Sequence, residues 1–161
     1  MTKKELLQKF LEGLDYQNIN LECSYLSNSK NNDNANYFDE TNTQETYLIL
    51  TEEEADKKTK EEILNSLWLF SPDFLVDYLN YDYKSTEERK TLILGLLTIQ
   101  NKLYEDSNEI IKILVKDNLE DLISDAIESD GRGAFLSMYN GEEEDITDPD
   151  TKEIYYIYRI D

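Results

Sequence analysis

Residues 129–161 read SDGRGAFLSMYNGEEEDITDPDTKEIYYIYRID, and this stretch decides the fold. Turn signals stand at Asn140-Gly141 and at Asp148-Pro149-Asp150. Two runs rich in apolar residues, 134–139 and 153–159, flank these turns, and aromatic and β-branched residues between turn signals are typical of strands. We therefore predict that these two runs pair as a C-terminal antiparallel ribbon.

The chain before the ribbon has the pattern of helices. Apolar residues recur at helical spacing over residues 3–14 and after Thr51, Ser71, Ser85 and Ser107. Several of these segments open with a capping box, a Ser or Thr followed three residues later by Glu. The helix after Ser85 is apolar on most faces, so we expect it deepest in the core. With a strand at 46–50, the sequence predicts an α+β fold, in which several helices pack on a small antiparallel sheet that includes the C-terminal β-ribbon.

Composition changes along the chain and predicts its division. Asn and Ser dominate residues 15–46, most densely at 27–34. We predict an N-terminal extension over residues 1–45, made of one helix and an Asn-rich loop, and a main α+β domain over residues 46–161.

Net charge is the strongest indication of function. The chain has 16 Lys and Arg against 36 Asp and Glu, which gives a net charge of −20. Solubility alone needs only about 2–8 charges. So acidic a chain repels nucleic acid and anionic membranes and attracts basic protein surfaces. A halophile-like surface is the alternative explanation, and the 16 cations argue against it.

Several classes of chemistry are excluded by residue content. The chain has one cysteine, Cys23, and no histidine. This excludes a disulfide within the chain and any triad built on His, and argues against a structural zinc site. The N-terminus lacks the apolar core of a signal peptide, and no run reaches the ~20 apolar residues of a membrane span. We therefore expect a cytoplasmic protein with no cofactor, no resident metal and no enzymatic activity.

Three blocks carry a family resemblance. Residues 47–56, YLILTEEEAD, are similar to an opening YLVLTDEEAD; residues 130–142, DGRGAFLSMYNGE, resemble DGRGHFLSSYDGEE; and residues 155–161, YYIYRID, resemble YYIYRTN. The blocks resemble a family of small, largely uncharacterised proteins from phages and mobile elements. Ala134 stands where that family often has His, and Asn140 where it often has Asp. The resemblance implies a phage or plasmid context, in which small acidic inhibitors of restriction enzymes and CRISPR effectors imitate DNA.

The acids of the C-terminal third form two rows that are candidates for binding a partner. Duplex DNA carries about one charge per 1.7 Å of axis, so a mimic needs closely spaced carboxylates. The first row lies on the predicted helix before the ribbon, and the second on the ribbon. The first consists of Glu120, Asp121, Asp125, Glu128 and Asp130, and the second of Glu142, Glu143, Glu144, Asp145, Asp148 and Asp150.

Five other residues are expected to be structural. Gly131 ends the preceding helix in a left-handed conformation, and Gly133 also serves the backbone. Arg132 and Arg159 neutralise nearby carboxylates and hold the ribbon to the helix end. Tyr156 packs in the last strand.

The sequence favours a non-enzymatic inhibitor of phage or mobile-element origin. Its acidic surface would bind a basic host protein that handles nucleic acid, such as a CRISPR effector or a restriction enzyme, in the host cytoplasm. A homodimer would extend the charged face, and the sequence leaves that state open. One alternative is a host-takeover adaptor that binds through aromatic residues. The other is a metal-dependent hydrolase, because Asp150-Thr151-Lys152 fits the short D-x-K end of a metal-dependent nuclease pattern. Residues 145–153 also have loosely calcium-like spacing, but they lack the glycine that a calcium loop requires.

Overall fold

The computed structural model describes residues 1–16, 21–24, 36–39 and 45–161, with only the backbone described at 22–24 and 36–39. The chain divides into two compact units. The sheet unit comprises Met1–Thr59 and Gly131–Asp161, and the helical unit comprises Lys60–Asp130. The Asn-rich residues 27–34 lie outside the described residues, and the predicted division at residue 45 stays a prediction.

The sheet unit is built on five antiparallel strands in the order β1-β2-β3-β5-β4. Strands β3 and β5 form its middle, with Leu48 opposite Tyr158 and Ile49 opposite Ile157. Strand β4 pairs with β5 alone and is an edge strand. The strands are β1 Leu21–Ser24, β2 Asn36–Asp39, β3 Thr46–Thr51, β4 Glu144–Thr147 and β5 Ile154–Arg159.

The two faces of this sheet are covered by different helices. Helix α1, Lys3–Gly13, packs its Leu6, Leu7 and Leu11 on one face with Ile49. On the other face Tyr158, which is fully buried, packs with the start of helix α2, Glu52–Ser66, and with helix α7, Gly133–Leu136. This alternation follows from the strand period of two, which turns successive side chains to opposite faces.

Capping boxes fix where α1 and α2 begin. Thr2 Oγ1 accepts the Glu5 amide, and Glu5 in return accepts the Thr2 amide. Thr51 and Glu54 repeat this exchange at α2, with distances of 3.3 and 2.7 Å. Both boxes satisfy amide groups that would otherwise lack partners, as the sequence predicted.

The helical unit contains the end of α2 and four further α-helices joined by short 3₁₀ turns. Helix α4 begins after Ser85, whose hydroxyl accepts the Glu88 amide, and helix α6 ends where Gly131 adopts a φ of +75°. The predicted α+β fold class is thereby confirmed. These helices are α3 Pro72–Leu75, α4 Thr86–Leu103, α5 Ser107–Leu114 and α6 Leu119–Asp130.

The structure corrects two expectations. The C-terminal ribbon exists, but its first strand is β4 rather than residues 134–139, because residues 133–136 form α7 and Leu136 turns into the core. The acid run can enter β4 because an edge strand leaves charged side chains in water. Helix α4 is not deepest in the core: only Leu96 and Gln100 are buried along it, and Leu94 is 63% exposed.

Gly133 generates a stability prediction. A Cβ atom at Gly133 would overlap the Gly141 carbonyl oxygen and lie 2.8 Å from the Glu142 carbonyl carbon. Because backbone atoms cannot move aside cheaply, we expect Gly133→Ala to lower the free energy of unfolding by about 2–4 kcal/mol. Urea denaturation measures this value.

The matched control for this prediction is Gly13→Ala. A Cβ there meets no atom within 4 Å, so the same change is expected to cost less than about 0.5 kcal/mol. Equal unfolding midpoints for the two variants would contradict the proposed backbone contact.

Candidate partner-binding surface

Arg132 lies at the centre of a charged network in the sheet unit. Its Nε and Nη2 atoms donate to the two carboxylate oxygens of Glu143, each at 2.9 Å, and Nη1 donates to Asp56 at 2.8 Å. Nη1 also lies 3.6 Å from Glu52, and the guanidinium carbon lies 4.2 Å from the Tyr156 ring centre. The Arg132 side chain is only 11% exposed, whereas Glu143 is 28% exposed and Asp56 is 62% exposed, so the guanidinium group is shielded from water but water reaches its carboxylate partners.

Hydrogen bonds in this network favour the protonated forms of Arg132 and Tyr158. Burial lowers the pKa of Arg132, but the hydrogen bonds to Glu143 and Asp56 outweigh it and raise the pKa overall. Burial and a 2.5 Å hydrogen bond to Glu143 raise the pKa of Tyr158 well above its ordinary value. Tyr156 closes the network by donating its hydroxyl to Glu52 at 3.1 Å. Arg132 therefore keeps its positive charge, and Tyr158 its hydroxyl proton, at physiological pH.

Arg159 fixes the turn that joins α7 to β4. Its Nη2 lies 2.7 Å from buried Glu45, and its guanidinium carbon lies 3.7 Å from the Tyr139 ring centre. The Arg159 carbonyl accepts the Ser137 hydroxyl at 2.8 Å. Ser137 Oγ also lies 2.7 Å from Asn140 Oδ1, and this oxygen accepts the Glu142 amide at 3.1 Å. The two arginines thus hold the segment before β4 from both ends.

The acids of the ribbon separate into internal and external groups. Glu143 is held by Arg132 and Tyr158, and Asp148 is 1% exposed, accepting the Asp150 amide at 2.8 Å and lying 3.1 Å from the Met1 amino group. Because the Asp148 side chain is buried, it is not accessible to a partner, contrary to the prediction from sequence. Glu144 and Asp145 are exposed on β4, with no ion pair to them among the described residues.

Two other ribbon acids, Glu142 and Asp150, are also exposed, and each has one nearby polar group. Glu142 is exposed and accepts the Asn140 amide group at 2.9 Å. Asp150 is 73% exposed and lies 3.6 Å from the Met1 amino group. Both carboxylates face water, so five of the six predicted ribbon acids lie on the surface and Asp148 alone is buried; of the five, Glu143 is the one held by Arg132 and Tyr158.

The acids of α6 all lie on the surface of the helical unit. Asp121, Asp125 and Glu128 lie four and three residues apart and share one face, opposite buried Leu122 and Ala126. From Glu120 to Glu128, four carboxylates occupy about 12 Å of helix axis at 1.5 Å per residue. The axial steps between successive carboxylates are about 1.5, 6 and 4.5 Å. Their mean of about 4 Å compares with about 3.4 Å of axis per charge along one DNA strand.

Two side chains of the helical unit contact acids of this row, and the sequence did not predict either contact. Lys60 Nζ lies 2.5 Å from Glu120, and Tyr78 donates its hydroxyl to Asp125 at 2.5 Å. Burial and the bond to Asp125 raise the pKa of Tyr78 to about 12. Among the α6 acids, Asp121 and Glu128 have no ion pair within the described part of the chain, and Asp130 accepts the Ser129 hydroxyl at 3.1 Å.

Two general features of the described residues bear on the site. No group of three or more Cys, Asp or Glu side chains within residues 1–16, 21–24, 36–39 and 45–161 is arranged to hold a metal ion. Over the same residues, no helix combines the length and apolar character needed to cross a membrane.

Comparison with protein families, with curated proteins and with solved structures finds no match to this chain. The resemblance of the three sequence blocks therefore stays a prediction.

The Arg132 network predicts unequal roles for two arginines. Arg132→Ala removes two hydrogen bonds from Glu143, which keeps only the Tyr158 hydroxyl, and it also removes the bond to Asp56, so we expect the free energy of unfolding to fall by about 2–3 kcal/mol. Arg132→Lys should recover part of this loss, because lysine keeps the charge but not the two-pronged geometry. Urea denaturation measures both values.

The control is Arg89→Ala. Arg89 pairs with Asp73 and Asp77, which are 72% and 51% exposed, so its loss should cost less than about 1 kcal/mol. Equal losses for Arg89→Ala and Arg132→Ala would contradict the central role of Arg132.

The hydrogen bonds of Asp148 should make the free energy of unfolding depend on pH in the acid range. The Asp150 amide and the Met1 amino group hold the pKa of Asp148 below its ordinary value. A carboxylate with a depressed folded-state pKa contributes stability above its unfolded pKa of about 3.9, and this stability is lost as pH falls through the folded pKa. Asp148→Asn should therefore weaken the fall in unfolding free energy between about pH 5 and pH 2. An unchanged pH profile would show that Asp148 has the same pKa in both states.

Proposed function

We propose that this chain is a non-enzymatic inhibitor from a phage or mobile element, which binds a basic, nucleic-acid-handling defence protein of its host. A CRISPR effector or a restriction enzyme in the host cytoplasm is the expected partner. The observation that carries the proposal is the division of the acids into those that hold the fold together and those that remain free for another molecule.

The free acids supply the attraction. Glu144 and Asp145 are exposed on an edge strand, and Asp121 and Glu128 are exposed on α6. Such a density of uncompensated negative charge opposes folding by self-repulsion. The simplest explanation for its presence is that these carboxylates bind a basic partner. Lys and Arg side chains that hold phosphates in the partner would meet these carboxylates instead.

Spacing supports imitation of nucleic acid rather than general acidity. The mean axial interval of about 4 Å between the α6 carboxylates is comparable with about 3.4 Å per charge on one DNA strand, so the charge density is similar over three to four nucleotides although the individual steps are uneven. The ribbon carboxylates belong to the sheet unit and the α6 carboxylates to the helical unit. Each acidic row would therefore form a contact of its own.

An aromatic contact is the second candidate, and three exposed side chains favour it. In the sheet unit Tyr139 is 58% exposed and Met138 is 83% exposed, and in the helical unit, taken by itself, Tyr104 is 66% exposed. Aromatic side chains and Met are enriched in protein interfaces. Binding through such a surface would resist salt, which distinguishes it from the acidic contact.

The proposal is tested with tagged protein incubated in host lysate and then washed at low and high salt. One variant neutralises the ribbon, with Glu142→Gln, Glu144→Gln and Asp145→Asn, and a second neutralises α6, with Asp121→Asn, Asp125→Asn and Glu128→Gln. We expect high salt to release the nucleic-acid-handling protein that the wild type captures, because screening weakens contacts between exposed charges. At least one variant should bind that protein about tenfold more weakly at low salt.

The matched control removes three other exposed acids, with Glu12→Gln, Glu53→Gln and Glu105→Gln. It changes the net charge equally and should bind as the wild type does. Weakening by the control to the same extent would show that only overall charge matters. Full binding by both test variants would contradict the acidic contact, and a partner that withstands high salt would favour the aromatic one.

A further inference from the structure

Strand β4, Glu144–Thr147, is an edge of the five-stranded sheet. It pairs with β5 on one side, and within the described residues no strand pairs with its other side. Three of its four residues are exposed, and only Ile146 packs against the apolar cluster that α1 covers. An edge strand presents unpaired backbone groups, and another strand can add to them.

The register of the ribbon identifies which residues of β4 bond to β5. At the turn that joins the two strands, the Asp148 amide donates to the Glu153 carbonyl at 2.8 Å, so these two residues form a hydrogen-bonded pair. In an antiparallel ladder such pairs recur at every second residue. With the register of β4 and β5, this makes Glu144 and Ile146 the residues of β4 whose backbone groups point toward β5.

Asp145 and Thr147 are the other two residues of β4, and their N–H and C=O groups point away from β5. Among the described residues, no backbone group outside β5 bonds to either residue. The open side of β4 therefore carries two donors and two acceptors within about 7 Å of strand. These are the groups to which an added strand would bond.

The two exposed carboxylates of β4 lie on opposite faces of the sheet. Asp145 is opposite Tyr156, whose ring packs with Tyr158 on one face. Glu144 is opposite Ile157, which packs with α1 on the other face. An added strand would therefore meet one carboxylate on each of its faces. Two adjacent Lys or Arg residues match this arrangement, because neighbouring residues of a strand also point to opposite faces.

Charge argues against a second copy of this chain at the same edge. If two β4 strands paired about a two-fold axis, Glu144 and Asp145 would lie near their counterparts, and like charges opposite each other destabilise a strand pair. The net charge of −20 on each copy adds to this repulsion. The acids of β4 therefore protect the edge from copies of the chain, whereas they attract a basic strand.

We propose that β4 accepts an extended basic segment of the partner protein as a further strand of the sheet. The inference rests on the proposed function and specifies how the ribbon acids meet that partner. Backbone bonds to Asp145 and Thr147 supply the pairing. Two adjacent basic residues of the segment then pair with Glu144 and Asp145, one on each face of the sheet.

Thr147→Pro separates strand addition from attraction between charges. Proline removes the outward N–H group and leaves the net charge unchanged. The bonds of Glu144 and Ile146 to β5 stay in place, and proline is accommodated on an edge strand where the N–H group faces solvent. Thr147→Val is the matched control, because valine keeps the N–H group and favours a strand.

The probe is a synthetic peptide of about eight residues, rich in threonine and valine, with two adjacent arginines at its centre. Amide hydrogen exchange of the wild type is followed by NMR with and without about 1 mM peptide. Exchange at the Asp145 and Thr147 amides should slow at least about tenfold when the peptide binds, because both then donate to the added strand. Thr147→Pro should raise the Kd of the peptide at least about tenfold, whereas Thr147→Val should bind it as the wild type does.

Strand addition is contradicted if the peptide does not bind at about 1 mM, or if it binds and leaves both exchange rates unchanged. The exchange measurement uses the wild type, so it tests the proposal even if Thr147→Pro unfolds. Slower exchange on concentrating the chain alone would assign the edge to a second copy and overturn the proposal. If Thr147→Pro still captures the host protein from lysate and the neutralised ribbon variant does not, the acidic contact stands and strand addition fails.

Discussion

The sheet unit depends on the pairing of one guanidinium group with three carboxylates. Arg132 joins Glu52 and Asp56 at the start of α2 to Glu143 just before β4, and its guanidinium group lies over Tyr156 of β5. Without a cation between them these three carboxylates would repel one another, and Arg132 offsets that repulsion. Arginine suits the position because its planar group binds a carboxylate at two points and also stacks on a ring.

Local rules predicted the parts of the fold that local contacts determine. The starts of α1 and α2, strand β3 and the helix end at Gly131 follow from capping boxes, strand propensity and glycine conformation. Residues 134–139 escaped prediction because Leu136 gains more by packing under Tyr158 as part of α7 than by extending. The exposure of α4 also escaped prediction, because an apolar sequence pattern does not show which sides of a helix the rest of the chain will cover.

The candidate site was predictable as a set of acids but not as a surface. Glu143 and Glu144 are neighbours with the same side chain, yet Arg132 and Tyr158 hold the first and water surrounds the second. Asp148 lies in the same acidic segment and is buried. Partners that are distant in sequence decide which of these acids is bound or buried, so the spacing of acids along the sequence does not predict it. The free acids are therefore a smaller and more specific set than the net charge suggests.

The central claim is that carboxylates of this chain take the place of phosphates on a basic partner. Competition on the purified partner measures this most directly, with a fluorescent oligonucleotide that the partner binds and increasing amounts of the acidic chain. If the two share one site, displacement should be complete and both affinities should fall together as salt increases. A ternary complex, in which the oligonucleotide stays bound at saturating concentrations of the chain, would contradict the claim.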